Sequence, residues 1–164
     1  MKSPQVIPTK ILDLPQLQHQ VGRWRLLKKS VSFTNGCFDI LHEGHIASLS
    51  QAAKEADFLV VGVNSDSSTR RLKGENRPVN NQHARSLVLA SLFIVDAVII
   101  FEEDTPLELI KSILPDVLVK GGDYTIDQIA GAKEVMANGG RVVINPLVDG
   151  FSTTRIIEKV KNLK

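Results

Sequence analysis

Short, nearly continuous apolar runs alternate with longer amphipathic stretches along most of this chain. Residues 31–34, 58–63, 97–101, 117–119 and 142–144 are rich in Val, Ile and Phe, as strands covered on both faces tend to be. Between them, residues 45–56, 82–93, 106–114, 126–138 and 153–162 read as helices. An earlier helix is predicted over 14–29, where Leu14, Leu17, Val21, Trp24 and Leu27 recur at the spacing of one buried face. Thr105 is the expected cap before Pro106, and Gly139-Gly140 the stop after the fourth of the later helices. Pro4 and Pro8 make residues 1–12 a loosely ordered lead-in. This alternation predicts an α/β fold: a Rossmann-like, doubly wound parallel sheet of five strands with helices on both faces. Such sheets bind ligands beyond the C-terminal strand ends, where the strand order reverses. The expected division is a lead-in and helix over 1–30 and a single domain over 31–164.

Residues 65–81 depart from the pattern. They are polar, carry Arg70, Arg71, Lys73 and Arg77, and include Gly74 and Pro78. A polar loop of this length directly after a strand is expected to serve function.

Composition narrows the class. A length of 164 residues, 43% hydrophobic and 23% charged, suits one globular domain. A net charge of +2 is too small for a nucleic-acid surface, and Lys159, Lys161 and Lys164 read as a solvated helix end. Cys37 is the only cysteine, so no intrachain disulfide is possible and nothing signals an oxidising compartment. The start lacks a signal-peptide core, and the apolar run 92–101, broken by Asp96, is about half a membrane span. The expectation is a cytoplasmic protein with neither membrane nor nucleic acid as partner.

The chemistry concentrates at two strand-to-helix junctions. Asn35, Gly36, Cys37, Phe38 and Asp39 leave the first strand, and His42-Glu43-Gly44-His45 opens the next helix. Free backbone N–H groups and the helix dipole make such a junction an anion site. Histidines three apart can face the same way, Gly44 leaves room for a nucleotide, and imidazoles so placed can donate to phosphate oxygens as charge builds. Two other readings stand beside this one. Cys37, His42 and His45 could ligate zinc, although a closed site needs a fourth ligand, and the histidines could be ordinary polar residues at a helix end. Near the C-terminus Phe151-Ser152-Thr153-Thr154-Arg155 reads as a helix N-cap whose hydroxyls also suit phosphates, with Arg155 facing either phosphate or solvent.

Together these segments resemble the cytidylyltransferase-like nucleotidyltransferase superfamily, whose signatures are Gly-x-Phe-Asp followed by His-x-Gly-His, and Ile-Ser-Thr-Thr near the C-terminus. The resemblance implies catalytic roles for His42, His45 and Lys73. It implies nucleotide binding by Asn35, Gly36, Cys37, Phe38, Asp39, Gly44, Arg85, Ser152, Thr153 and Thr154. Lys73, from the polar stretch, would cover the triphosphate, since a flexible ammonium can follow phosphates during closure. Within the superfamily, Val119-Lys120-Gly121-Gly122-Asp123-Tyr124, the run 101–106 and the stretch 63–78 look like the adenylyltransferase domain of ADP-heptose synthesis. That likeness places Asp39, Arg77, Lys120, Gly121 and Asp123 on the sugar-phosphate side. It implies ATP as substrate, Mg2+ riding on its phosphates, a separate sugar kinase upstream and a homodimer. Leu147 stands where glycerol-3-phosphate cytidylyltransferases carry arginine, which argues against that relative. Alternatives left open are another small-phosphate nucleotidyltransferase and a nucleotide-binding regulator without turnover.

Overall fold

The computed structural model describes residues 3–122, 124–146 and 151–163. Five parallel strands form one sheet: β1 (Val31–Gly36), β2 (Phe58–Asn64), β3 (Ala97–Phe101), β4 (Val117–Gly121) and β5 (Arg141–Asn145). Their order is β3-β2-β1-β4-β5. The chain steps outward from β1 to β3, then crosses back to β4, so the order reverses between β1 and β4. Several strands run past their apolar stretch: the β1–β2 ladder continues through Asn35↔Gly62 and Gly36↔Val63, and the β4–β5 ladder through Lys120↔Ile144. Apolar patterning ends where the strands leave the core, but the hydrogen bonds do not, and the polar ends of β1 and β4 form the functional edge.

The helices α1 (Val6–Thr9), α2 (Leu14–Leu26), α3 (Glu43–Lys54), α4 (Asp66–Lys73), α5 (Gln82–Ala90), α6 (Leu107–Ile113), α7 (Ala132–Ala137) and α8 (Thr153–Lys161) complete the chain. The core has two layers. Leu59, Val61 and Val63 of β2 pack with Leu49 and Ala52 of α3 and Leu89 and Ala90 of α5. Val60, between them, joins Phe33 and the α2, α6 and α7 side chains on the opposite face. In α2 only Leu17, Val21 and Trp24 are buried, each such side chain contributing about 1.5–3 kcal/mol, and Trp24 stacks on Phe58 at 4.3 Å. The helix ends earlier than expected and leaves Leu27 exposed.

Four local expectations are corrected. Within the expected loose lead-in 1–12, residues 3–12 are more ordered than their prolines suggested: beyond α1, Ile11 bridges to Val98 at the open edge of β3, with Val98 donating to the Lys10 carbonyl at 2.8 Å. The expected loop 65–81 begins with α4, capped where the Ser65 hydroxyl accepts from the Ser68 amide. The expected helix 126–138 is split into a 3₁₀ turn (Ile126–Gln128) and α7. Gly131 stands between them at φ +85°, where a Cβ would lie 2.7 Å from Ile110, so the helix cannot run through. Finally, Pro106 rather than Thr105 occupies the cap position of α6, and it makes no side-chain cap bond. Among the described residues, no helix is long and apolar enough to cross a membrane.

Candidate active site

A cavity of about 540 Å³ opens at the C-terminal edge of β1 and β4, at the reversal of strand order where such sheets bind ligands. It draws together residues far apart in sequence. The end of β1 supplies Asn35 and Gly36, the turn after it Cys37, Phe38 and Asp39, the start of α3 His42, Gly44 and His45, and the end of α4 Lys73. Arg77, Lys120 and Gly121 line it too, and Ser152, Thr153 and Thr154 close the far side.

His42 caps α3 from an extended backbone and makes no side-chain cap bond, so its ring is free to turn inward. One helical turn on, the His45 ring stacks on it with centroids 3.8 Å apart and planes 26° from parallel. Phe38, held at φ +47° in the turn, meets His45 edge-on at 5.4 Å, and Phe151 lies over His42 at 6.2 Å. Gly44 lets the rings pack this closely. A Cβ there would fall 3.2 Å from the His42 ring and from the Phe151 Cβ.

Among the described residues, the Nδ1 atoms of both histidines are buried and make no hydrogen bond. Burial lowers the pKa of His42. Burial, reinforced by the neighbouring His42, lowers that of His45 from 6.5 to about 4. His45 is therefore a neutral imidazole near neutral pH. An unfolded chain takes up its proton near 6.5 and the folded one only near 4, so protons favour unfolding in that interval. Thermal midpoints should fall as pH drops from 6.5 towards 4, and fall less in His45→Gln. Parallel melting profiles for the two proteins would contradict the assignment.

The cavity is electropositive. Among its described residues the cations are Lys73, Arg77 and Lys120, and the one carboxylate is Asp39. Burial pulls the Lys120 ammonium below its ordinary range; Cys37 opposes this and the nearby Lys73 adds to it. Lys120 donates to the Asn35 Oδ1 at 3.2 Å and lies over the Tyr124 ring at 5.8 Å. A buried ammonium with a second cation nearby, and among the described lining residues only Asp39 as carboxylate, suits an anion.

Asp39 has another occupation. It is buried, and its oxygens accept from Arg77 Nε at 2.6 Å, from the Val79 amide at 2.8 and 2.9 Å and from the Asn80 amide at 2.9 Å. The carboxylate thereby fastens the stretch after α4 against the β1 turn. Burial alone would raise its pKa, but the Asn80 and Val79 amides and the Arg77 guanidinium outweigh it and hold the group below the ordinary carboxylate value.

Arg85, expected at the nucleotide, does not reach the cavity. Its fully buried guanidinium donates to the Cys37 carbonyl at 2.5 Å, the Asn80 carbonyl at 3.0 Å and the Asp66 carboxylate at 2.8 Å. It ties the β1 turn to the starts of α4 and α5 from behind. Arg155 is exposed and also off the cavity. Ser152 stands at the cap of α8 without making a side-chain cap bond, and Thr153 donates to the Ile40 carbonyl at 3.4 Å. Asp123 and Leu147 lie outside the described residues. Among the described residues no three His, Cys, Asp or Glu side chains gather to hold a metal. Ser48 and Pro146 line the cavity without having been singled out. Ser48 had a signal, since it follows His45 by the same three residues that separate His45 from His42.

Fold and site together are those of a nucleotidyltransferase. The chain belongs to the cytidylyltransferase-like family, whose model matches residues 33–159. It is 57% identical over 151 residues to the bifunctional protein HldE of Mesorhizobium japonicum, covering 92% of this chain. It is 53% identical over 152 residues to that of Rhodospirillum rubrum. The chain spans only 30% and 31% of those two relatives. A lipopolysaccharide core biosynthesis protein from Thermoplasma volcanium superposes with a TM-score of 0.58 at 29% identity, covering 73% of this chain and 97% of that one. The pantoate-beta-alanine ligase of Francisella tularensis shares the fold, with a TM-score of 0.60 at 15% identity over 92% of this chain and 76% of that one.

Proposed function

We propose that this chain transfers AMP from ATP to D-glycero-beta-D-manno-heptose 1-phosphate, giving ADP-heptose and pyrophosphate for lipopolysaccharide or a related glycan. The observation that carries nucleotidyl transfer is the stacked, desolvated His42–His45 pair at the mouth of α3, in one electropositive cavity with Ser152, whose hydroxyl makes no cap bond. The heptose acceptor rests on the likeness of residues 119–124, 101–106 and 63–78 to the ADP-heptose adenylyltransferase domain. The high identity to bifunctional HldE proteins and the lipopolysaccharide-related structural neighbour support it.

In this reading an acceptor phosphate oxygen attacks the α-phosphorus of ATP in line. The new P–O bond forms as the bond to the β-phosphate's bridging oxygen breaks, and pyrophosphate leaves with that electron pair. Positioning and charge stabilisation supply the catalysis. His42 and His45 donate to the α-phosphate oxygens, while Lys73 with Ser152, Thr153 and Thr154 holds the leaving phosphates. Lys120, with Gly121 beside it, faces the acceptor phosphate, and Asn35, Gly36, Cys37, Phe38 and Gly44 form the wall against the nucleotide. Arg77 and Asp39 fix that wall.

Mg2+, when bound to the triphosphate, neutralises its charge. The only described carboxylate of the cavity is already fully engaged, so phosphate oxygens and water would be its ligands. A phosphorylating activity upstream supplies the sugar 1-phosphate, the enzyme works as a homodimer, and a cytoplasmic site of action follows from its use of ATP.

Pyrophosphate release separates the alternatives. Turnover is expected with ATP and heptose 1-phosphate, and at least tenfold less with CTP and glycerol 3-phosphate. Turnover with the second pair alone would make the protein a glycerol-phosphate enzyme. No turnover with either, alongside tight ATP binding, would make it a regulator.

A further inference from the structure

A second cavity, of about 150 Å³, lies on the other side of Lys120. It shares Asn35, Lys120 and Tyr124 with the large cavity, so the two are compartments of one cleft divided by the Lys120 ammonium. The large compartment lies on the α3 and α8 side. The small one lies between the β3–α6 connection, which contributes Asp104 and Thr105, and the 3₁₀ turn, which contributes Gln128.

Among its described residues the small compartment carries no charge but Asp104 and the dividing lysine. It is lined by the apolar Leu118 and Ile129 and by the hydrogen-bonding side chains of Asp104, Thr105 and Gln128. The Gln128 Oε1 accepts from the Thr125 amide at 2.9 Å, which anchors the side chain through its oxygen and keeps the amide NH2 as a donor group. Asp104 Oδ1 is taken by Arg71, Nε and Nη2 both at 2.7 Å, which holds the carboxylate in place and leaves Oδ2 as an acceptor. Thr105 adds a hydroxyl that can donate or accept. Lys120 spends one donor on Asn35 and keeps two. An apolar lining beside donors and acceptors matches a polyol, whose C–H face needs burial while its hydroxyls need directed partners. A triphosphate matches poorly, because Asp104 would repel it. At about 150 Å³ against about 540 Å³ for the large cavity, the space suits a smaller group than a nucleotide.

We infer that this compartment is the subsite for the sugar moiety of the acceptor, with Asp104, Thr105 and Gln128 reading its hydroxyls and Lys120 holding its phosphate at the boundary with ATP. The inference rests on the sugar-phosphate reading above and adds the residues that select the sugar. Asp104, Thr105 and Gln128 are all exposed at the rim, so their substitution leaves the core untouched.

Thr105→Val and Gln128→Glu test it, the second keeping the acceptor for Thr125 while removing the amide donors. With purified full-length chain, each variant should raise KM for heptose 1-phosphate about tenfold, and the pair more. The Kd for ATP and the thermal midpoint should stay at wild-type values. Unchanged acceptor KM in the double variant, or a loss confined to ATP binding, overturns the subsite while leaving the transferase reading intact. A wild-type protein that turns over no sugar 1-phosphate overturns that reading, and the subsite with it.

Discussion

Replacing His45 with alanine should lower kcat for pyrophosphate release about a hundredfold or more, with the fold intact. His45 sits one turn into α3, edge-on to Phe38 and stacked on His42. Its environment holds it neutral near pH 7, so it donates one hydrogen bond without carrying a charge into the ground state. A donor placed where charge develops gains strength only as the α-phosphate becomes more negative, which is why removing one costs about 10²–10³ in rate elsewhere. The loss should therefore appear in kcat more than in the Kd for ATP. Stability should fall only by the lost ring contacts with Phe38 and His42, because among the described residues the His45 Nδ1 makes no hydrogen bond; groups kept for chemistry are often neutral or costly to the fold. A rate within threefold of wild type would remove His45 from the reaction.

Asp39→Ala should be the most destabilising single change at the site, by about 3–5 kcal/mol, as for other broken buried pairs. The substitution strands the Arg77 guanidinium and leaves the Val79 and Asn80 amides without their acceptor. Asp39→Asn keeps the shape but turns an NH2 towards groups that are themselves donors, so it should also destabilise, by less. Activity should fall in both, since Lys73 and Arg77 depend on the stretch that Asp39 fastens. The folded-state pKa is depressed, so this stabilisation is present above the ordinary value of 3.8 and is lost as pH falls through the lower folded value. Urea unfolding at neutral pH reads the effect directly. Wild-type midpoints for Asp39→Ala would show that the four contacts contribute little.

These two residues show how unevenly the site was legible. His42 and His45 were readable because a spacing of three at a helix start fixes a shared face whatever surrounds it. Asp39 was readable as part of a motif, yet its present bonds are to the protein. Its partners lie some forty residues away, and no local pattern brings them together. Arg85 misled for a related reason. Arginine is almost never fully buried unless paired, so an arginine near phosphate-binding segments reads as a ligand group, and only packing reveals Asp66 and two carbonyls taking all its directions.

The helix α4 makes the same point about the fold. It packs through Ser68 and Thr69, both fully buried, with Ser68 donating to the Glu103 carbonyl at 2.9 Å and accepting from Asn64 at 3.0 Å. A helix that buries hydroxyls has no apolar stripe, so periodicity cannot find it.

The sequence by itself determined the strand-helix alternation, the parallel sheet and the two strand-to-helix junctions that line the cavity. Each of these rests on local rules: which residues tolerate burial on both faces, and which open a helix. Tertiary structure alone decided that Lys120 divides two compartments and that Asp39 and Arg85 brace the site from within. It also decided that Gly131 breaks a helix against Ile110. Those outcomes depend on which distant atoms meet, and that is set by packing the whole sheet at once rather than by any stretch of the chain.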